Sequence, residues 1–231
     1  MTHRTRIKIC GVRRPEDALA AARAGADAIG MVFHPAAPRR VSVEEARAIL
    51  AALPAFVTPV ALFVDAGVER VTRLAAELHL RHVQLHGNET PEDIAQLPHL
   101  AVIKAVRVDP RRFGETLGRW RDAVAAGGLA NLKGLVLETA ATAEAGGTGV
   151  ANDWPAVREH QARGAFDGLP PIIAAGGLTP ETVGLVVRDV RPWAVDVSSG
   201  VELTRGVKSP EKMAAFVAAV RDADASPPPP A

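Results

Sequence analysis

Two glycine- and serine-rich turns near the end of the chain have the makings of an anion cradle. Ile172-Ile173-Ala174-Ala175-Gly176-Gly177 and Ala194-Val195-Asp196-Val197-Ser198-Ser199-Gly200 each end an apolar run in small residues. Backbone N–H groups in such turns can close around a phosphate. Either turn alone would be ordinary, since Gly also serves turns and helix caps. Two in succession, about one strand-helix unit apart, point to a phosphorylated ligand held by Gly176, Gly177, Ser198 and Ser199.

Other reactive side chains close apolar runs as well. Cys10 ends Lys8-Ile9-Cys10, and Arg13 and Arg39 are cations that would favour its thiolate. The alternative for Cys10 is a buried, inert thiol. Glu138 ends Gly134-Leu135-Val136-Leu137-Glu138 with nothing cationic beside it in sequence, either as a proton-transfer carboxyl or as a solvated loop acid. Arg39, after Pro38, offers a planar fork for a carboxylate or phosphate, or solvates a loop with Arg40. His86 follows Gln84-Leu85 at another run's end, where a plain loop histidine is the alternative. His34, His79, His82, His86 and His99 form no ligand pattern with carboxylates, so no metal is expected.

These residues need a scaffold that gathers strand ends. Short apolar runs recur at Ile7 to Cys10, Ala28 to Phe33, Val60 to Val64, His82 to Leu85, Val102 to Val106, Gly134 to Leu137, Pro171 to Ala174 and Ala194 to Val197. Helix signals lie between them. Ser42 precedes Val43-Glu44-Glu45 as an N-cap with acid in the first turn. Thr179-Pro180-Glu181 and Ser209-Pro210-Glu211 put Pro at a first helical position. Pro15 to Ala24, Val68 to Leu78, Pro91 to Leu97, Arg111 to Ala125 and Trp154 to Arg163 complete the set. Eight strand-helix units predict an α/β protein, a single (β/α)8 TIM barrel with a central eight-stranded parallel sheet. A doubly wound open sheet is the competing architecture, but no G-x-G-x-x-G follows the first strand. Residues 1–225 are expected to form the barrel, and the proline-rich segment 226–231 a disordered tail.

Composition narrows the partners. The net charge of +1 gives no bias toward nucleic acid or anionic membrane. The single cysteine excludes an intramolecular disulfide and fits a reducing, cytoplasmic setting. No signal-peptide core or membrane span is visible. The partner is therefore expected to be a small molecule.

Ile7-Lys8-Ile9-Cys10-Gly11, Gly25-Ala26-Asp27-Ala28-Ile29-Gly30, Pro38-Arg39-Arg40-Val41-Ser42, Val83-Gln84-Leu85-His86-Gly87 and Val102-Ile103-Lys104-Ala105 resemble phosphoribosylanthranilate isomerases. So do Gly146-Gly147-Thr148-Gly149 with Asp153-Trp154, Ala175-Gly176-Gly177-Leu178, and Ala194 through Glu202. The order agrees from Ile7 to about Val220. The resemblance implies a cofactor-free isomerase of tryptophan biosynthesis, and the chain is expected to work as a monomer or homodimer. It would convert N-(5-phosphoribosyl)anthranilate to 1-(2-carboxyphenylamino)-1-deoxy-D-ribulose 5-phosphate by an acid–base Amadori rearrangement. By resemblance Cys10 is the general base, and Arg39 holds the anthranilate carboxylate. Gln84 and His86 lie beside the substrate, Asp196 meets ribose hydroxyls, and the late turns bind phosphate. The family's acid is an aspartate closing the sixth strand, whereas this chain has Glu138, expected to be protonated in the working complex. A strand-end Lys104 keeps a Schiff-base aldolase in competition, paired carboxylates with metal-binding histidines would mark an epimerase, and Glu138 raises a phosphate-binding barrel without catalysis.

Overall fold

The strands are apolar on both faces, the pattern of a parallel sheet covered by helices outside and filled by side chains inside. The computed structural model describes residues 4–108, 112–139 and 153–226. In chain order they form β1 (Arg6–Cys10), α1 (Pro15–Ala24), β2 (Ala28–Val32), α2 (Val43–Ala52), β3 (Thr58–Phe63), α3 (Val68–Glu77), β4 (His82–Leu85) and α4 (Pro91–Ala95). There follow β5 (Ala101–Val108), α5 (Phe113–Ala125), β6 (Leu132–Thr139), α6 (Trp154–Ala162), β7 (Ile172–Ala174), α7 (Val183–Val190) and β8 (Ala194–Val197). A short hairpin, β9 (Glu202–Thr204) with β10 (Val207–Lys208), then leads into α8 (Pro210–Ala225).

Strands β1 to β8 pair in sequence order and close on themselves, β1 lying between β2 and β8. Every pairing around the ring is parallel. Closure removes the unpaired edges that an open doubly wound sheet would leave.

Alternation along each strand separates two kinds of packing. Ile7, Ile9, Ile29, Met31, Phe63, Val83, Leu85, Leu135, Leu137, Val195 and Val197 join the large core shared with the helices. The residues between them face the barrel axis, where Ala105, Val136, Ile173, Ala175 and Ala194 fill the middle and Cys10 packs with Val32 and Leu62.

Local caps act largely as expected. Ser42 Oγ accepts from Glu45 N at 3.1 Å while the Glu45 carboxylate accepts from Ser42 N at 2.7 Å, a reciprocal box that fixes the start of α2. Ser209 caps α8, with Pro210 at its first position. The helix expected from Thr179-Pro180-Glu181 instead begins at Val183. Thr179 donates its N–H to Thr182 Oγ1, and its carbonyl accepts from Thr182 N and Val183 N, so this stretch closes first as a turn. The glycine-rich segment 140–152 and residues 227–231 of the expected tail lie outside the described residues.

Candidate active site

Side chains two apart on a strand point to the same face, and this parity places most of the candidates. Lys8 and Cys10 on β1, Gln84 and His86 at β4, Val136 and Glu138 on β6, and Asp196 and Ser198 at β8 all take the inward alternation at the carboxyl ends of the strands. That end of a parallel barrel is where chemistry is done.

On one side, Gln84 Nε2 lies 2.9 Å from His86 Nδ1, and His86 Nε2 lies 2.8 Å from Glu138 Oε2. Gln84 is wholly buried, and Glu138 is screened to 17 % side-chain exposure. The surroundings of Glu138 within the chain favour its ionised form, whereas the protonated form is the one expected in the working complex. Burial pushes its carboxyl up, but the His86 hydrogen bond and the charges of Arg107 and Lys8 outweigh that and hold it below the usual carboxylate range. Arg107 stands opposite Glu138 in the β5–β6 register. The cations that sequence adjacency does not reveal come from neighbouring strands.

Across the barrel, Cys10 lies above a buried ion pair. Lys8 Nζ donates to both Asp196 oxygens, at 2.9 and 2.8 Å. Burial would discharge Lys8, but Asp196 and the thiol raise its pKa instead. Burial pushes the Cys10 thiol up, Asp196 adds to this, and Lys8 and Lys208 only partly offset it. The expected activation by Arg13 and Arg39 is therefore corrected: Arg39 does couple to Cys10, but the cations that act on the thiol include Lys8 and Lys208, and burial outweighs them. Gly30 opposite Cys10 makes the space, because a Cβ there would come within 2.9 Å of Sγ and 3.2 Å of Lys8 Nζ.

Arg39 is buried and already forked onto a carboxylate, with Nε 2.7 Å and Nη2 2.8 Å from Glu202. Lys208 Nζ joins the same Glu202 at 3.0 Å and also donates to the Ser198 carbonyl at 2.9 Å. Burial lowers the Lys208 pKa despite Glu202, whereas burial of Glu202 is outweighed by Arg39 and Lys208, which lower its pKa.

Glu202 and Lys208 are site residues that the sequence reading passes over. Their signal is Thr204-Arg205-Gly206-Val207, a two-residue turn with Gly206 at φ 84°. That turn folds β9 back on β10 and brings both charges under Ser198. Gly11, at φ 73°, ties the ends together: a Cβ there would fall 2.6 Å from Arg39 Cδ and 3.1 Å from Ser198 Oγ.

The two late turns meet as expected. Gly176 and Gly177 both hold positive φ, 89° and 65°, a backbone that other residues adopt at a cost. A Cβ on Gly200 would collide with the Leu178 carbonyl, so the loops after β7 and β8 are pressed against each other. Ser198 is held from below by Lys208, and Ser199–Val201 forms a single 3-10 turn.

Lys104 is withdrawn from covalent chemistry. Its Nζ is donated to the carbonyls of Leu85, Gly87 and Ala105 and to Glu89 Oε2, at 3.3, 2.8, 2.9 and 3.0 Å. An ammonium engaged in this way has no lone pair to offer a carbonyl carbon. Among the described residues no three His, Cys, Asp or Glu side chains gather as metal ligands. No helix among those residues is long and apolar enough to cross a membrane.

Comparison with known proteins matches most of the chain's length. The profile of the N-(5'phosphoribosyl)anthranilate (PRA) isomerase family matches residues 7–219. The N-(5'-phosphoribosyl)anthranilate isomerase of Pseudomonas putida strain GB-1 is 45% identical over 218 residues, 94% of this chain and 98% of the relative. The crystal structure of phosphoribosyl anthranilate isomerase from Thermotoga maritima superposes with TM-score 0.81 at 36% identity, covering 94% of this chain and 99% of that one. A phosphoribosyl anthranilate isomerase in complex with reduced 1-(o-carboxyphenylamino)-1-deoxyribulose 5-phosphate superposes with TM-score 0.78 at 34% identity over the same shares.

Proposed function

We propose, for a chain that belongs to the N-(5'-phosphoribosyl)anthranilate isomerase family, that its isomerisation runs between Cys10 as general base and the His86–Glu138 pair as general acid. The reaction is that of tryptophan biosynthesis, opening a phosphorylated aminoaldose and returning an aminoketose. The acid protonates the furanose oxygen as the anilinic nitrogen forms a C1′ Schiff base. The base then takes the C2′ proton to give an enolamine, which tautomerises to the ketone. The observation that carries this reading is the placement of a lone thiol and a hydrogen-bonded carboxyl on the same barrel rim, with paired small-residue turns nearby.

Each partner is prepared differently. Deprotonation of Cys10 leaves a thiolate faced by Lys8 and Lys208, whose charges stabilise it at the moment of proton abstraction. Gly176, Gly177, Ser198 and Ser199 take the phosphate, and Arg39 the anthranilate carboxylate through Nη1. With the reactive carbons so clamped, general acid–base transfer contributes roughly 10²- to 10⁴-fold for each group. Asp196, already bound to Lys8, contacts ribose hydroxyls with lone pairs left over from that pair.

Every group invoked belongs to one chain, so the mechanism is the same for a monomer and a homodimer. It uses no cofactor, and its place of work is the cytoplasm, a reading supported by the single cysteine and modest net charge. Because Cys10 is the only thiol, iodoacetamide tests the assignment. Alkylation abolishes turnover without changing circular dichroism, and the reduced product analogue slows it. Full turnover by the alkylated protein overturns the base assignment.

A further inference from the structure

We propose that Gln84 is a positioning residue that decides where the proton of the His86–Glu138 pair resides, by reversing its side-chain amide end for end. The proposal rests on the reading of that pair as the general acid.

Three observations carry it. Gln84 is wholly buried. Its Nε2, which can only donate, lies 2.9 Å from His86 Nδ1, so Nδ1 is bare and the ring hydrogen is on Nε2, donated to Glu138 across 2.8 Å. Its other end, Oε1, is buried with no hydrogen-bond partner among the described residues. In this state the pair is imidazole and carboxylate, and Glu138 has no proton to give. An amide oxygen left unpaired inside a barrel is unfavourable and needs a physical reason.

The reason emerges from the acid's working state. A carboxylic acid at Glu138 donates its O–H to His86 Nε2, which must then be bare, so the ring hydrogen moves to Nδ1. Nδ1–H needs an acceptor, and among the described residues the polar side chain hydrogen-bonded to it is Gln84. Half a turn about the Gln84 Cγ–Cδ bond supplies Oε1. The balance is one proton: the pair takes it from solvent as the amide reverses. It gives that proton to the sugar oxygen and returns to rest when the ring loses hydrogen at Nδ1 and gains it at Nε2.

The charged groups facing the pair from other elements, Lys8 on β1 and Arg107 on β5, both favour the carboxylate. Charge therefore works against the acid form, and the reversible amide is what accommodates it.

Two substitutions at Gln84 separate this role from a merely structural one. Gln84→Met removes the acceptor for Nδ1–H, so the alkaline limb of kcat/KM, which reports loss of the acid's proton, moves to lower pH, and kcat falls at neutral pH. Gln84→Glu supplies a permanent acceptor and moves the limb to higher pH, each by about one unit, a roughly tenfold change in proton affinity. In substrate-free wild-type protein above that limb, 15N spectra of His86, assigned with His86→Asn, show hydrogen on Nε2 and none on Nδ1. Acidification places hydrogen on Nδ1 with the midpoint of the kinetic limb. Rate losses in both variants with an unmoved limb, or an Nδ1–H resting tautomer, overturn the proposal. Failure of the wild-type protein to turn over substrate sinks the acid–base reading instead, and the spectra report on Gln84 regardless.

Discussion

Lys8 Nζ bridges both oxygens of Asp196 at 2.9 and 2.8 Å, directly beneath Cys10 on the inward face of β1. Both side chains are nearly sealed from solvent, at 6 and 7 % exposure. The pair fixes the floor of the site and sets the field felt by Cys10 and Glu138 alike.

Removing one partner of a buried pair strands the other charge. Lys8→Met is expected to lower unfolding free energy by about 3–5 kcal/mol, while Lys8→Met with Asp196→Leu recovers most of it. Denaturant titration of the three proteins checks this. Equal losses in the single and double variants contradict it.

The thiol's titration has a definite sign. Burial disfavours the thiolate, so the folded pKa lies above the ordinary thiol value. Between those two values the unfolded chain holds fewer protons than the folded one, and stability falls as pH rises. With one cysteine in the chain, thiolate absorbance reports Cys10 alone. It should appear only above the ordinary range and move higher still in Lys208→Met. A thiolate already present at neutral pH contradicts this.

Arg39 is held by Glu202 through two parallel hydrogen bonds, which leaves one guanidinium nitrogen for ligand. Arg39→Lys keeps the charge but loses the fork. KM for the phosphoribosylanthranilate is expected to rise about tenfold, with kcat changed much less. An unchanged KM removes Arg39 from carboxylate binding.

The barrel was legible in the sequence because β/α alternation is repeated eight times, and His82–Leu85 and Ala194–Val197 end where the apolar runs end. The inward parity of Cys10, Gln84, His86, Glu138 and Asp196 follows from strand period alone. What sequence order hides is charge contributed across strands. Arg107 reaches Glu138 through register, and Lys208 reaches Ser198 through a hairpin of five strand residues that no long apolar run announces. For the same reason the reading of arginines near the thiol misses Lys8 on β1 and Lys208 on β10, which act on it beside Arg39.

Shortening the acid tests the geometry at β6. Glu138→Asp draws the carboxyl back by about one methylene from His86, and a misplacement near 1 Å can cost on the order of 100-fold. Turnover should fall by about 10- to 100-fold without loss of fold. Wild-type turnover would show that the 2.8 Å contact with His86 is not needed for proton delivery.

The most direct measurement follows the loss of phosphoribosylanthranilate fluorescence with purified wild-type protein, Cys10→Ala and Glu138→Gln. The account predicts rapid loss with the wild type and a fall of at least about 100-fold in kcat for each variant, with circular dichroism unchanged. Turnover within a few-fold of wild type by either folded variant would contradict the assignment of base and acid.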